Sequence, residues 1–210
     1  MQTRIKTVMT SMAAALSLVF AGATFGQTPA GAPTTQPAAS STPASKQTTA
    51  TSRSNTSLAA ADRDFMMKAA QSDIAEIQSG QVAKEKASSD AVKKFADQMV
   101  ADHTKTSGQM KTMAASRNVA LPTTPASKDE RDLKKMSTMS GTEFDRAYMA
   151  SQVRAHRDAV ALFQKESKSG KDAELKSFAA ATLPALQGHL KMATELSKAT
   201  NAAPRQSAGK

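Results

Sequence analysis

The sequence predicts an all-α fold: an antiparallel four-helix bundle with a short extra helix in the long connection between helices two and three. Three observations predict it. Four long segments place apolar residues at alternating intervals of three and four, the period of a helix that buries one face. Aromatic residues make up only 4% of the chain, while Ala, Lys, Ser and Met are common, which suits helices better than sheets. Short links join the first segment to the second and the third to the fourth, so each pair closes as a hairpin.

Residues 1–26 read as an export signal. Arg4 and Lys6 form a charged start, "VMTSMAAALSLVFAGA" supplies a short apolar core, and cleavage is expected after Ala23 or Gly26. The apolar run is too short and too broken by Ser and Thr to read as a membrane span. The mature protein is expected to be exported and soluble, in the periplasm or cell envelope. Residues 27–57 are rich in Thr, Pro, Ala, Ser and Gln, with no acid and no aromatic. Such a stretch cannot bury enough apolar area to offset its ordering entropy, so it reads as a disordered linker. Residues 58–199 form the bundle, and 200–210 read as a disordered tail.

Within the bundle the first helix is expected from about Asp62, as N-cap, to Lys86. Phe65, Ala69, Ser72, Glu76 and Ala83 mark its seam. The second starts at a Ser88/Ser89 cap and runs to about Arg117. Its seam is Val92, Ala96, Met99, His103, Thr106, Met110 and Met113. Pro122 and Pro125 then break the pattern. Ser127 and Glu130 form a capping box for the short extra helix, and Ser140 with Glu143 forms another that opens the third long helix. That helix carries Met149, Val153, His156, Val160 and Phe163 and ends near Gly170. Asp172 is the next N-cap. The fourth helix carries Leu175, Ala179, Thr182, Leu186, His189, Ala193 and Leu196. Pro184 lies inside it, cannot donate to the carbonyl of Ala180, and is expected to kink it. No internal repeat is evident.

Charge and composition narrow the function. The formal charge is +10, but six of the 28 basic residues lie in the terminal segments, while all 18 acidic residues fall between Asp62 and Glu195. The basic balance is therefore largely a property of the tails. No basic run is interleaved with aromatics, so nucleic acid is not an expected partner. Weak attachment of the basic termini to anionic envelope surfaces is a further option. The chain has no cysteine, which excludes disulfides, thiolate chemistry and acylation at an N-terminal cysteine. No nucleophile–base set and no Gly-rich phosphate loop argues for hydrolase or transferase chemistry.

One polar residue interrupts the seam of each long helix: Glu76, His103, His156 and His189. Counted from the hairpin turns at ~1.5 Å rise per residue, the two members of each hairpin lie within about one helical turn of each other. All four are thus candidates to converge mid-bundle. Three imidazoles and a carboxylate suit a single transition-metal ion, zinc, iron(II) or copper. The other reading is a structural or envelope-stress interaction module whose histidines are core hydrogen-bonders, satisfied by Glu76, Thr106, Tyr148 or Thr182. Met99 and Met192 lie one turn from His103 and His189, but methionine on a seam is mostly core filler. Asp102 is read as a solvated neighbour of His103. Asp145 is read as a first-turn charge favoured by the helix dipole.

The Asp102–His103 pair, Phe144-Asp145-x-x-Tyr148, and Leu183-Pro184-x-Leu186-x-x-His189 fall in order along the chain. In these motifs, over about Asp62 to Ala199, the sequence resembles a bacterial exported family. That family is known as domain of unknown function 4142 and often labelled predicted outer membrane protein. The resemblance implies a ferritin-like bundle in the cell envelope, with no established activity. The outer-membrane label finds no barrel-strand alternation here. Di-iron ferritins carry Glu-x-x-His on two helices. Here Val100, Val153 and Leu186 stand three residues before the histidines. That departure counts against a ferroxidase centre and weakens any enzyme assignment.

Overall fold

The computed structural model describes residues 58–203. The expected signal peptide and linker lie outside the described residues, as does the tail beyond 203. The described chain is all-helical: α1 Ala60–Lys86, α2 Asp90–Ala115, α3 Ser127–Ser137, α4 Gly141–Ser169 and α5 Ala173–Ala202. α1 pairs with α2, α4 with α5, and the hairpins meet mainly through α1 and α4, with α2 touching α5. The short α3 packs on α1 and α4. This is the four-helix bundle with an extra crossover helix that the periodicity predicts.

The core is layered. One apolar cluster gathers Phe65, Met66, Met110, Met113, Phe163 and Leu175. The other gathers Val92, Phe95, Met99, Phe144, Tyr148 and Met149. Between them, in order along every long helix, lie buried polar side chains: Asp73 and Glu76, His103, Gln152 and His156, and His189. Met99 belongs to the second apolar cluster and the partly buried Met192 packs against it, both as filler.

Several ends differ from expectation. α1 begins at Ala60, with Ala59 as N-cap, so Asp62 lies inside the first turn. Its carboxylate instead accepts the backbone N–H groups of Lys171 (3.0 Å) and Asp172 (2.7 Å), in the α4–α5 turn. Ser89 and Ser140 stand at N-cap positions but make no side-chain cap bond, and α3 is preceded by Ala126 rather than capped by Ser127. The N-terminus of α2 is capped from another helix. Asp145 accepts the N–H of Ser88 (3.1 Å), the N–H of Ser89 (3.0 Å) and the hydroxyl of Ser88 (2.6 Å). Asp172 does cap α5, accepting from the N–H of Glu174 and Leu175. α5 runs unbroken through Pro184 and on to Ala202. Arg146 donates to the carbonyls of Thr200 and Ala203 there, satisfying the exposed end of the helix.

The two clamps reveal a repeat. The spacing from Asp62 to Asp145 equals that from Ser88 to Lys171 and from Ser89 to Asp172. Asp62-Arg63-x-Phe65-Met66 opens the first hairpin, and Asp145-Arg146-x-Tyr148-Met149 opens the second. Each hairpin thus lends an aspartate to the turn of the other, at equivalent positions. Outside these few residues the copies share too little sequence for the relation to be read without the contacts.

Candidate metal centre

Three of the four predicted side chains come together. His103 from α2, His156 from α4 and His189 from α5 are 4%, 1% and 4% exposed. Their ring centroids are 5.7 Å (103–156), 5.8 Å (103–189) and 5.4 Å (156–189) apart. One nitrogen of each ring lies within 4.8 Å of the others, an arrangement able to hold a metal ion.

Each ring is oriented by its other nitrogen. His103 Nδ1 lies 2.8 Å from Asp73 Oδ1, and His189 Nε2 lies 3.0 Å from Asp102 Oδ2. His156 Nδ1 lies 3.0 Å from the carbonyl of Gln152, one turn back on α4. Acceptors at these atoms fix where each ring carries its N–H. The remaining nitrogens, His103 Nε2, His156 Nε2 and His189 Nδ1, are buried without a hydrogen-bond partner. Buried polar atoms are seldom left so. Here three such atoms share one small volume.

Glu76, expected as a fourth member, is buried but stands apart from the histidine group. Its Oε2 accepts from Gln152 Nε2 at 2.8 Å, and its Oε1 is 4.0 Å from His156 Nδ1. Its oxygens thus face the Gln152 amide and the Nδ1 side of that ring. Thr106, expected to satisfy a histidine, donates to Asp73 at 2.9 Å and acts one step further back. Thr182 donates to Phe178 in its own helix, and Tyr148 Oη has no partner.

Electrostatics set the protonation. Burial pushes His156 down to about 4, and the neighbouring His103 adds to this; the Gln152 carbonyl opposes it. Burial and His156 lower His189, against Asp102. At His103 burial also favours the neutral ring, but the Asp73 hydrogen bond together with Glu76 and Asp102 outweighs it and raises the pKa. Burial raises the pKa of Asp73 and Glu76, against the pull of His103. At neutral pH two rings are neutral nitrogen donors and the third holds its proton more tightly.

Asp73 was not singled out from the sequence, and Asp102 was read only as a solvated neighbour of His103, although each supports a histidine. Asp73 stands one helical turn before Glu76, and Asp102 directly precedes His103 in the Asp-His pair. A cavity of about 30 Å³ adjoins His103 and His189, walled by Ala159, Phe163 and Leu186.

Fold and cluster together define a ferritin-like helical-bundle protein with a buried three-histidine group. The chain belongs to the family described as Domain of unknown function (DUF4142), which it matches over residues 47–196. Among solved structures it is similar to a DUF305 fragment from Deinococcus radiodurans. The identity is 15% and the TM-score 0.59, over 67% of this chain and 98% of that one. It is also similar to a DUF305 protein from Streptomyces coelicolor described as a candidate secreted protein. There the identity is 13% and the TM-score 0.60, over 71% of this chain and 98% of the other. At such identities the likeness concerns the fold. No curated protein matches the sequence. Among the described residues no helix is long and apolar enough to cross a membrane.

Proposed function

We propose that the protein is an exported metal-binding bundle that holds one transition-metal ion through His103, His156 and His189. The observation that carries this reading is the set of three buried, unpartnered imidazole nitrogens facing one another. A bundle using histidine only for hydrogen bonding has no reason to bring three such atoms together. Three neutral nitrogens suit Zn²⁺, Cu²⁺ or Fe²⁺, whereas Mg²⁺ and Ca²⁺ prefer oxygen. With metal–nitrogen bonds of ~2.0–2.1 Å, the three nitrogens, within 4.8 Å of one another, would draw together around the ion. Asp73, Asp102 and Glu76 supply negative charge around the cluster to offset the ion's. The charged, apolar and small-residue order of residues 1–26 supports export.

The test is titration of metal-free protein with Zn²⁺, Cu²⁺ and Fe²⁺. One ion per chain is expected, with a rise in melting temperature equivalent to about 2.7 kcal/mol at a hundredfold excess over Kd. His156→Ala abolishes both effects. Wild-type protein that gains no thermal stability from any of these ions refutes the proposal.

A further inference from the structure

We propose that the groove beneath α3 is the route by which a hydrated divalent cation reaches the histidines, with Asp129 as its outer station and Glu76 as its inner one. This rests on the metal-binding reading above.

The groove encloses about 420 Å³ between α1, α3 and α4. Its walls carry Glu76, Asp129, Asp132 and Asp158 against a single Lys68. An acidic cleft in a chain of formal charge +10 focuses its field on cations. Asp132 is engaged by Lys128 (3.1 Å) and Arg154 (2.9 Å). Asp129 is half-buried and makes no ion pair among the described residues. Burial raises its carboxyl pKa against the pull of Lys128, and Asp132 and Glu76 raise it further, so Asp129 and Glu76 share one field.

The inner wall points to a ligand independently of that charge. Gln152 is 2% exposed, lines the groove, and leaves its Oε1 without a partner. Beside it Glu76 Oε2 takes the Gln152 amide, while Glu76 Oε1 sits 4.0 Å from His156 Nδ1. Glu76 and Gln152 thus link the groove to His156, the nearest member of the cluster. An amide oxygen and a carboxylate hold a cation through oxygen, and three imidazoles bind a transition metal more strongly. An ion at Glu76 is thus passed inward. The cavity lined by His103 and His189, about 30 Å³, has room for a water or two but not for a hydrated ion.

The experiment follows Co²⁺ uptake by the metal-free full-length chain in stopped flow, through the visible absorption of the bound ion. Asp129→Asn is expected to slow the second-order uptake three- to tenfold and to weaken its dependence on salt. A residue that only lines the route alters association and dissociation alike, so Kd stays within about twofold. Asp129→Glu keeps the wild-type rate, as does Glu195→Gln, the same loss of charge on the exposed face of α5. Stoichiometric Co²⁺ binding by Asp129→Asn at the wild-type rate overturns the route and leaves the metal site standing. A wild-type chain that takes up no Co²⁺ overturns both.

Discussion

Asp73 decides which nitrogen of His103 faces the cluster. Its carboxylate takes the Nδ1 side at 2.8 Å, and Thr106 holds the same carboxylate oxygen at 2.9 Å. Losing such a partner typically weakens a metal site 10–100-fold. Asp73→Ala is therefore expected to lower metal affinity by about that factor while the helical circular dichroism persists. Protons compete at the same atom set. The His103 pKa is raised above the ordinary 6.5, whereas His156 and His189 are already neutral near pH 7. Affinity should thus rise with pH up to the His103 pKa, approaching tenfold per unit, and then level off. Calorimetry in buffers of different ionisation enthalpy measures the expected release of one proton. The histidines were legible in the sequence because a polar residue on an apolar stripe is conspicuous. Asp73 and Asp102 were not, because an aspartate beside a seam looks like any solvated charge until the facing helix is in place. Glu76 was legible as buried, but its turn towards Gln152 depends on α4, which no pattern within α1 reports.

Among the elements, α1 and α2 approach closely at Gly80. A Cβ there would meet Val100 Cγ2 at 2.7 Å and the Ala96 carbonyl at 3.2 Å. In an exposed helix Gly→Ala stabilises by about 1 kcal/mol. Here crowding of about 1–3 kcal/mol outweighs the gain. Gly80→Ala is expected to lower stability by up to about 2 kcal/mol in urea unfolding, from the difference of those two terms. At the other end of the bundle, Gly170 closes α4 with φ −55°, so its value is space rather than backbone freedom: a Cβ would collide with Glu166. Burial pushes the Glu166 carboxyl up to about 7, with Asp62 and Asp172 adding to it. The folded pKa lies above the reference value of 4.5, so its stabilising share is complete below pH 4.5 and is lost as pH rises through 7. Glu166→Gln should therefore stabilise the protein at pH 8 by about 1–3 kcal/mol and change little at pH 4.5, as thermal melts at the two pH values would register. Element types and order were legible because helical period and short links are local properties. Of the caps, Asp172 was legible, but the others were not, since Ser89 and Ser140 have the right chemistry while the bond to α2 comes from Asp145. That partner lies 57 and 56 residues from the turn it holds, beyond any local signal.

The described chain as a whole comprises two hairpins locked by exchange. Asp62 reaches from the first to the turn of the second, and Asp145 reaches back. Each clamp consists of part-buried charge-assisted bonds, worth about 1.5–3 kcal/mol apiece where water is excluded and less where it can replace the carboxylate. Asp145→Ala should cost roughly 2–4 kcal/mol in chemical denaturation. Asp62→Ala, with no hydroxyl donor among its contacts, should cost somewhat less. If equivalence of the halves were only a coincidence of sequence, the two aspartates would have no reason to act at matching turns.

The exchange has a consequence for where the histidines lie. His103 belongs to the first hairpin, and His156 and His189 to the second, so neither half owns the trio. A polypeptide severed in the link around α3 would still present both aspartates to their opposite turns. Capture of an ion would then mark the moment at which two separate pieces become one molecule.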